Sequence, residues 1–508
     1  MNVKQWAIEK SVFIFSALII LFVVLWGAFS PEAMTRVMEQ IMNQMIQQFG
    51  WLYVISTSIF IGFCLFLGFG PYRHMKLGKK HDKPEYTYFT WLGMLFAAGM
   101  GVGLVFWGVG EPLSHFHSPN GGIEAMSQEA AEQGLLYGIF HWGIHPWSIY
   151  AIVALGLAFA KFRKNLPGLV SSTFYPLIGD GVFGWQGKTI DVIAIVATTV
   201  GIATSFGMST LQVGSGLSHL FGISANNIIH FTIIAIVTAI FLFSVLTGLN
   251  KGMRYLSISN LGLAGFLLLI GLILGPTVFI LEHFTLTFGQ YFTQLPELSF
   301  TTSPYTENEW MGEWTLFYWA WVISWSPFVG TFIARVSKGR SLQEFIFGVL
   351  FVPTVLTMIW FVTFGGSGLY FDLFEGTSIA EDVASTPESG LFLVLEQLPG
   401  SFILSIVALI LISIFFITSA NSATYVLGVF ASSGNLNPKA RVLFIWGLLI
   451  SAIASVLLLS GGLEGMQAVA TITAFPFTFI MFAMLVSIFR SLKKEGIDTS
   501  KVKEKEDW

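Results

Sequence analysis

Three short stretches of this chain place glycines or large aromatic residues inside apolar runs. They are 99–103, which holds three glycines, then 141–150, and much later 319–328. Several glycines close together, or large aromatic residues far from the helix ends, are not expected in a membrane-spanning helix unless the helix is interrupted there and lines a cavity. Aromatic faces attract a desolvated cation without presenting a fixed charge. These stretches therefore predict a cavity for a quaternary ammonium compound.

The aromatic residues around the third stretch share one side of a helix. At about 100° per residue, Tyr318, Trp321, Trp325 and Phe328 lie on one side over about three turns, and Trp319 lies on the opposite side. An aromatic belt at the membrane surface would not extend that deep. The spacing favours an aromatic wall inside the protein.

Each of the other two stretches also has a plainer interpretation. The pair Gly99 and Gly103 is typical of close helix packing, and the aromatics of 141–150 are as typical of a membrane-surface belt. Gly101 lies between the paired glycines. A third glycine lowers the helix propensity of this stretch further, although close helix packing needs only the two paired glycines. A broken helix at 99–103 is the better prediction.

Composition predicts an all-α polytopic membrane protein. Apolar residues make up 54% of the 508 residues and charged residues 11%, and apolar runs of about 20 residues recur along the chain, each long enough to cross a core of about 30 Å. We predict twelve transmembrane helices, at 12–29, 52–70, 89–113, 135–160, 190–217, 226–248, 257–281, 314–334, 342–367, 399–430, 441–460 and 467–489.

Loop charges support the count of twelve. Lys and Arg occupy every second connection, and Asp and Glu occupy the others, with Arg36 as the exception. Because short cytoplasmic loops accumulate basic residues, both termini are predicted to be cytoplasmic, with the first apolar run retained as a span. The net charge of −4 gives no reason to expect nucleic acid, and the single Cys64 excludes an intrachain disulfide.

The apolar runs divide into two predicted halves. Spans three and eight are each interrupted at mid-depth, at 99–103 and at 326–327, which indicates a five-plus-five inverted repeat with substrate at its midplane. The predicted parts are two N-terminal helices with a basic loop (1–88), a first repeat (89–282), an external amphipathic connector (283–313), a second repeat (314–489) and a short cytoplasmic tail (490–508).

Other candidate sites are weaker. His141 and His145 have the spacing of metal ligands, but no acidic or cysteine partner lies nearby in sequence, so structural hydrogen bonding is favoured. The segment 187–189 resembles the end of a phosphate-binding loop, yet Val182 stands where that motif needs a glycine. We find no catalytic acid, base or metal set in the spans, so an enzyme is not predicted.

Four motifs together resemble the betaine/choline/carnitine transporter (BCCT) family. They are 96–103, 141–147, 317–330 and 417–420, and the resemblance covers nearly the whole chain. It implies the leucine-transporter-like inverted-repeat fold, a homotrimer in contact with lipid in the bacterial plasma membrane, and secondary uptake of trimethylammonium compounds. The chain is similar in particular to bacterial sodium-coupled glycine betaine transporters that serve in osmoprotection.

The resemblance implies an aromatic box around the substrate cation. Its members here would be Trp142, Trp147, Tyr150, Trp321 and Trp325. The residue after Trp321 is valine, where the family has a further box tryptophan, so Trp321 and Trp325 are expected to close the box. The exposed backbone amides of Gly99, Gly101 and Gly103 are expected to receive the substrate carboxylate.

The resemblance also implies sodium as the coupling ion, with no other cofactor. One site would use the carbonyls of Ala97, Met100 and Phe415 with the hydroxyls of Thr418 and Ser419, a donor set suited to a hard cation.

A second sodium site would use Thr198 and Phe328. Its other family threonine is Ile202 here, so Thr199 or Thr204 would have to substitute, and the number of coupled ions stays open. Sodium-independent members carry a fixed arginine where this chain has leucine at 261, which favours sodium dependence.

The leading hypothesis is sodium-coupled symport of glycine betaine by alternating access. The rivals are a choline or carnitine transporter or exchanger of the same family and, from another class, a passive osmolyte channel. Span three has no Asp or Glu from Thr87 to Gly110, and choline carriers of the family have an aspartate at the position of Gly103. A net cation without a counter-charge is costly to bury, so a zwitterion is favoured.

Overall fold

The computed structural model describes residues 10–99, 101–248, 250–302, 304 and 309–496. Within these ranges the chain is α-helical, and its β pairing is one isolated bridge between Lys76 and Ser341. The α-helices are α1 (Lys10–Phe29), α2 (Pro31–Phe69), α3 (Tyr88–Gly99), α4 (Val102–His117), α5 (Gln128–Trp142), α6 (Ile144–Ala158), α7 (Tyr175–Ile178), α8 (Trp185–Phe221), α9 (Asn227–Thr247), α10 (Asn250–Leu274), α11 (Thr277–Phe300), α12 (Glu309–Met311), α13 (Phe317–Val336), α14 (Leu342–Tyr370), α15 (Ile379–Ser385), α16 (Gly390–Glu396), α17 (Ser401–Phe430), α18 (Ala440–Leu459) and α19 (Gly462–Glu495).

Eleven helical stretches of the described chain are long and apolar enough to cross a membrane. The twelfth predicted run is divided into α3 and α4, each too short to cross alone. All twelve predicted apolar runs therefore have helical counterparts. The first residues of the predicted tail extend α19 to Glu495. The residues after 496 lie outside the described part of the chain.

The connector between the predicted halves begins earlier than expected. We predicted a seventh span to 281 and a connector from 283, but α10 ends at Leu274 and α11 begins at Thr277. Pro276 has no N–H to continue the helix, and the chain turns at Gly275 and Pro276. Helix α11 fills most of the connector up to Phe300, and residues 303 and 305–308 lie outside the described part.

The predicted mid-depth interruption of span eight is wrong. Helix α13 runs without a break through Pro327. A proline cannot donate to the carbonyl four residues earlier, which here belongs to Ile323. The hydroxyl of Ser326 donates to that carbonyl at 2.7 Å and satisfies it. The inverted repeat loses this part of its support and stays a prediction.

A different helix carries the second break. Gly143 separates α5 from α6, and a Cβ there would lie 2.4 Å from the Tyr291 hydroxyl oxygen. That hydroxyl accepts the freed N–H of Ile144 at 2.9 Å. Helix α11 therefore supplies the hydrogen bond that the interrupted backbone lacks.

Connections that the sequence assigns to the basic side contact one another. Arg163 donates to the carbonyls of Lys76 and Gly78 at 3.0 and 2.8 Å and pairs with Glu495. From the connections assigned to the acidic side, Gln290 donates to Glu132 at 3.1 Å. The cytoplasmic location of both termini stays a prediction. In the helical bundle, α13 packs against α6, α8 and α19.

We expect Tyr291→Phe to lower stability by about 1–3 kcal/mol, because the Ile144 N–H would be left buried without an acceptor. Thermal unfolding of the purified protein in detergent, followed by size-exclusion chromatography, measures this. Tyr255→Phe is the matched control, since Tyr255 is 71% exposed on α10. Equal midpoints for both variants would contradict this role of the hydroxyl.

Candidate substrate and ion site

An aromatic ladder runs along one side of α13. Its members are Tyr318, Trp321, Trp325 and Phe328, and successive ring centroids are 6.4, 6.2 and 5.5 Å apart. The opposite side carries Trp319, which stacks on the His145 ring at 5.0 Å and 16°. The predicted division of this helix into two aromatic sides therefore matches the structure.

Two indole rings meet over Gly103. Trp142 and Trp321 contact each other edge to face, with centroids 5.7 Å apart at 79°. A Cβ on Gly103 would lie 2.5 Å from Cη2 of Trp321 and 2.7 Å from Cη2 of Trp142. The two tryptophans can approach in this way only because residue 103 has no side chain.

The break in span three lies beside these rings. Gly101 caps α4 in an extended conformation, with no side chain bonded to the helix end. The N–H groups of Val102 and Gly103 have no helical acceptor at this terminus. Such a terminus favours an anion. Gly99 is the last residue of α3, and Met100 lies outside the described residues.

Trp147 and Tyr150 form a separate pair. Their rings contact each other at 5.6 Å and 82° on α6, and no ring contact in the described chain joins them to Trp142, Trp321 or Trp325. The break at Gly143 places Trp142 on a different helix, so helical spacing does not carry across it. The structure brings three of the five predicted box residues together and leaves two apart.

A small cavity lies next to the ladder. Its volume is about 20 Å³, which is room for about one water molecule. The lining comes from α4, α8, α13 and α17 and comprises Val102, Gly103, Ile202, Ser205, Phe206, Ser209, Trp325, Phe328, Phe416, Ser419, Ala420 and Ala423. Four of these residues belong to the predicted sites, namely Gly103, Trp325, Phe328 and Ser419. Sequence reasoning missed Ser205 and Ser209, although their i, i+4 spacing on α8 is a visible signal.

The first predicted sodium site is described only on its α17 side. Thr418 is buried and its hydroxyl donates to the carbonyl of Ile414 at 2.8 Å, which leaves the oxygen lone pairs available. Ser419 lines the cavity, and Phe415 precedes them on the same helix. Ala97 belongs to α3, whose backbone alone is described at that position, and Met100 lies outside the described residues.

Only one threonine of the second predicted site has a free hydroxyl. Thr198 is fully buried on α8 and its oxygen has no partner. Thr199 donates to Ile195 at 2.7 Å, and Thr204 donates to Val200 at 3.1 Å. Ile202 lines the cavity and offers no oxygen ligand. Thr199 and Thr204 keep their oxygen lone pairs, as Thr418 does, so these hydrogen bonds do not decide which of the three hydroxyls would bind an ion.

A buried carboxylate that we did not predict lies behind the box. Glu111 on α4 is fully buried and bonds to Nε2 of His115 at 3.3 Å, to Nδ1 of His141, and to Nε1 of Trp142 at 3.1 Å. The ligand atoms of Glu111 and the two histidines lie within 4.8 Å of one another. This corrects our expectation that the spans hold no set of such groups.

The sequence contained a weak signal for this cluster. Glu111 directly follows the acid-free stretch of span three that ends at Gly110, and its partner His141 is 30 residues away in sequence. His145 bonds instead to Ser299 at 3.0 Å, so the two histidines of the i, i+4 pair serve different partners.

Comparison with known proteins identifies the family. The model for the betaine/carnitine/choline family of transporters matches residues 11–497. The glycine betaine transporter OpuD of Bacillus subtilis is 48% identical over 94% of this chain and 93% of its own. The ectoine/hydroxyectoine transporter of Virgibacillus pantothenticus is 44% identical over 96% of this chain and 97% of its own. A probable glycine betaine transporter of Desulfitobacterium hafniense is 40% identical over 96% and 98%. This chain therefore belongs to the betaine/carnitine/choline family of transporters and is an all-α, multi-pass membrane protein.

Proposed function

We propose that the protein is a secondary active symporter that imports glycine betaine together with sodium by alternating access. The observation that carries this proposal is the meeting of two unlike features at Gly103. The indoles of Trp142 and Trp321 meet edge to face there, directly beside the uncapped N-terminus of α4. Aromatic faces suit a cation, and a helix N-terminus suits an anion.

A zwitterion satisfies both features at once. The trimethylammonium group of glycine betaine would lie against the indoles, and its carboxylate would face the amides of Val102 and Gly103. The ligand carries no net charge, so no unpaired charge enters the low-dielectric interior. The indole N–H of Trp325 is buried without a partner and is a further donor for a carboxylate.

The small volume of the cavity supports a carrier rather than a passive channel. About 20 Å³ does not hold a trimethylammonium group with its carboxylate, so substrate entry requires the helices around the cavity to move. Motion about a midplane site between broken helices is the alternating-access mechanism of such transporters. A five-plus-five inverted repeat and a homotrimer remain part of this proposal through the family resemblance.

Oxygen donors near the cavity support sodium as the coupling ion. Thr418 and Ser419 lie on α17, and the unpartnered hydroxyl of Thr198 lies on α8. Hydroxyl and carbonyl oxygens are suitable ligands for a hard cation. The sodium gradient across the membrane would set the direction of transport, and the positive-inside rule indicates that the basic loops are cytoplasmic.

Ectoine is the second candidate substrate. One relative is an ectoine/hydroxyectoine transporter. Ectoine is also a zwitterion, with a planar amidinium in place of the trimethylammonium, so the same two features would bind it. Choline and carnitine are the other candidates within the family. Competition against labelled betaine separates them.

Uptake into proteoliposomes tests the proposal. Radiolabelled glycine betaine is expected to accumulate above its external concentration under an inward sodium gradient and not when potassium replaces sodium. Equilibration without accumulation would indicate a channel. Accumulation that is independent of sodium would contradict the coupling ion.

Replacing Trp325 by alanine is expected to weaken betaine binding about thirtyfold, because a desolvated cation–aromatic contact contributes about 2 kcal/mol. Trp147→Ala is expected to have a similar effect if the second aromatic pair joins the box when substrate binds. Trp319→Ala is the control from the opposite side of α13 and should bind nearly as tightly as the parent. Titration by tryptophan fluorescence measures all three, and parental affinity in Trp325→Ala would exclude that residue from the box.

Removing the hydroxyls of Thr418 and Ser419 together is expected to raise the sodium concentration for half-maximal uptake, because two of the five predicted ligands disappear. Transport should fall at low sodium and recover partly at high sodium. Thr424→Ala is the matched control, since Thr424 is buried on the same helix and bonds its own backbone at 2.8 Å. An unchanged sodium dependence of the double variant would remove this site from the mechanism.

Gly103→Asp is expected to gain choline transport, while the parent strongly prefers betaine, because the new carboxylate replaces the one that choline lacks. Gly103→Ala controls for bulk alone. Its methyl group would press on both indoles, so we expect weaker betaine binding without gain of choline. Choline competing equally with betaine in the parent, or unchanged selectivity in the aspartate variant, would refute the zwitterion assignment.

A further inference from the structure

We propose that Glu111 is a positioning residue for substrate binding: its buried carboxylate holds the indole of Trp142 in place and polarises the ring toward a cation. The inference rests on the proposed function, since it names what prepares the box for its ligand. It assigns a role to a charged side chain that lies in the membrane-spanning part and lines neither predicted sodium site.

Three nitrogen atoms converge on this one carboxylate. Nε2 of His115 and Nδ1 of His141 bond to Oε1, and Nε1 of Trp142 bonds to Oε2. An ionised carboxylate only accepts hydrogen bonds, and an indole N–H only donates them. An ionised Glu111 with two neutral imidazoles that donate to it gives each of the three contacts a donor and an acceptor.

The tautomers required by this arrangement agree with the next partner. If His141 donates from Nδ1, its Nε2 must accept a hydrogen bond. Thr315 on the segment leading into α13 places its hydroxyl oxygen 2.8 Å from that nitrogen. The network thus runs from Thr315 through His141 and Glu111 to Trp142, and each bond has a donor and an acceptor.

Trp142 transmits this network to the substrate cavity. Its Nε1 is fixed by Glu111, and the Cη2 atom at the other edge of the same rigid ring system is the one that lies over Gly103 beside Trp321. Fixing one edge of a planar indole fixes the other. The carboxylate therefore sets the position of the ring edge that closes on the substrate without itself touching the substrate.

The charge also acts on the ring. A hydrogen bond to an anion is stronger than one to a neutral acceptor, and in a low dielectric it polarises the donor group. Polarisation of the N–H toward Glu111 raises the electron density on the indole face, which strengthens its attraction for a cation. Gln at position 111 keeps an acceptor for Trp142 but removes the charge.

Hydrogen bonding explains the cluster better than a resident metal ion does. All three candidate ligand atoms already take part in bonds within the network, and a divalent cation beside the box would repel the ammonium group of the substrate.

The test is a double-mutant cycle between Glu111 and Trp142, read as betaine affinity by equilibrium binding. Glu111→Gln is expected to weaken binding about tenfold in the parent, as loss of a charged hydrogen bond predicts. In the Trp142→Phe background, which has no N–H to hold, the same change should weaken binding less than about twofold. Trp325→Phe is the control background, where the full tenfold loss should persist. Equal losses in the parent and Trp142→Phe backgrounds would show that Glu111 acts only on packing and would overturn the proposal.

A second readout needs no ligand. In protein labelled with 5-fluorotryptophan, the Trp142 resonance, assigned from its loss in Trp142→Phe, is expected to shift in Glu111→Gln while that of Trp319 stays. An unmoved Trp142 resonance would overturn the proposal. If the resonance shifts but the parent protein does not bind betaine, the proposed function is refuted and the positioning of Trp142 by Glu111 stands.

The variant Thr315→Val is used if Glu111→Gln does not fold. It perturbs the same network from its other end and should move the Trp142 resonance by a smaller amount. An unmoved resonance in Thr315→Val would also overturn the proposal.

Discussion

The close approach of two indoles over a residue without a side chain is the constraint on which the substrate site depends. Trp142 and Trp321 come from different helices, and a Cβ at Gly103 would meet both rings at less than 3 Å. That same glycine is the second residue of α4, so the absence of a side chain also leaves the helix N-terminus open beside the rings. One position thus brings cation-attracting and anion-attracting groups together, which is what a zwitterion requires.

Interrupted helices are possible in an apolar environment only if the freed backbone groups find other partners. The structure supplies these partners from side chains. The Tyr291 hydroxyl accepts from Ile144 at the α5–α6 break, and Ser326 donates to the carbonyl that Pro327 cannot reach. The hydrogen bond to Tyr291 permits a break, and the hydrogen bond from Ser326 preserves a continuous helix. The aromatic ladder of α13 depends on this continuity, because a break at Pro327 would divide it.

Local patterns in the sequence predicted the helices and the two sides of α13, because each depends on neighbours within a few turns. Features that depend on tertiary contact were missed. The break at Gly143 depends on Tyr291 from a distant helix, and it separates Trp147 from Trp142 despite their short spacing. Glu111 and His141 are 30 residues apart in sequence, and they meet only when α4 packs against α5.

In the proposed site, the aromatic rings recognise the positive charge of the substrate and not only its shape. The most direct test compares glycine betaine with 3,3-dimethylbutanoate, its carbon isostere, which has a tert-butyl group in place of trimethylammonium and keeps the carboxylate. Equilibrium binding to the purified protein at fixed sodium is the measurement. Betaine is expected to bind, and the isostere is expected to bind at least about tenfold more weakly, since the cation–aromatic attraction is lost. Equal affinity for the two ligands would contradict it.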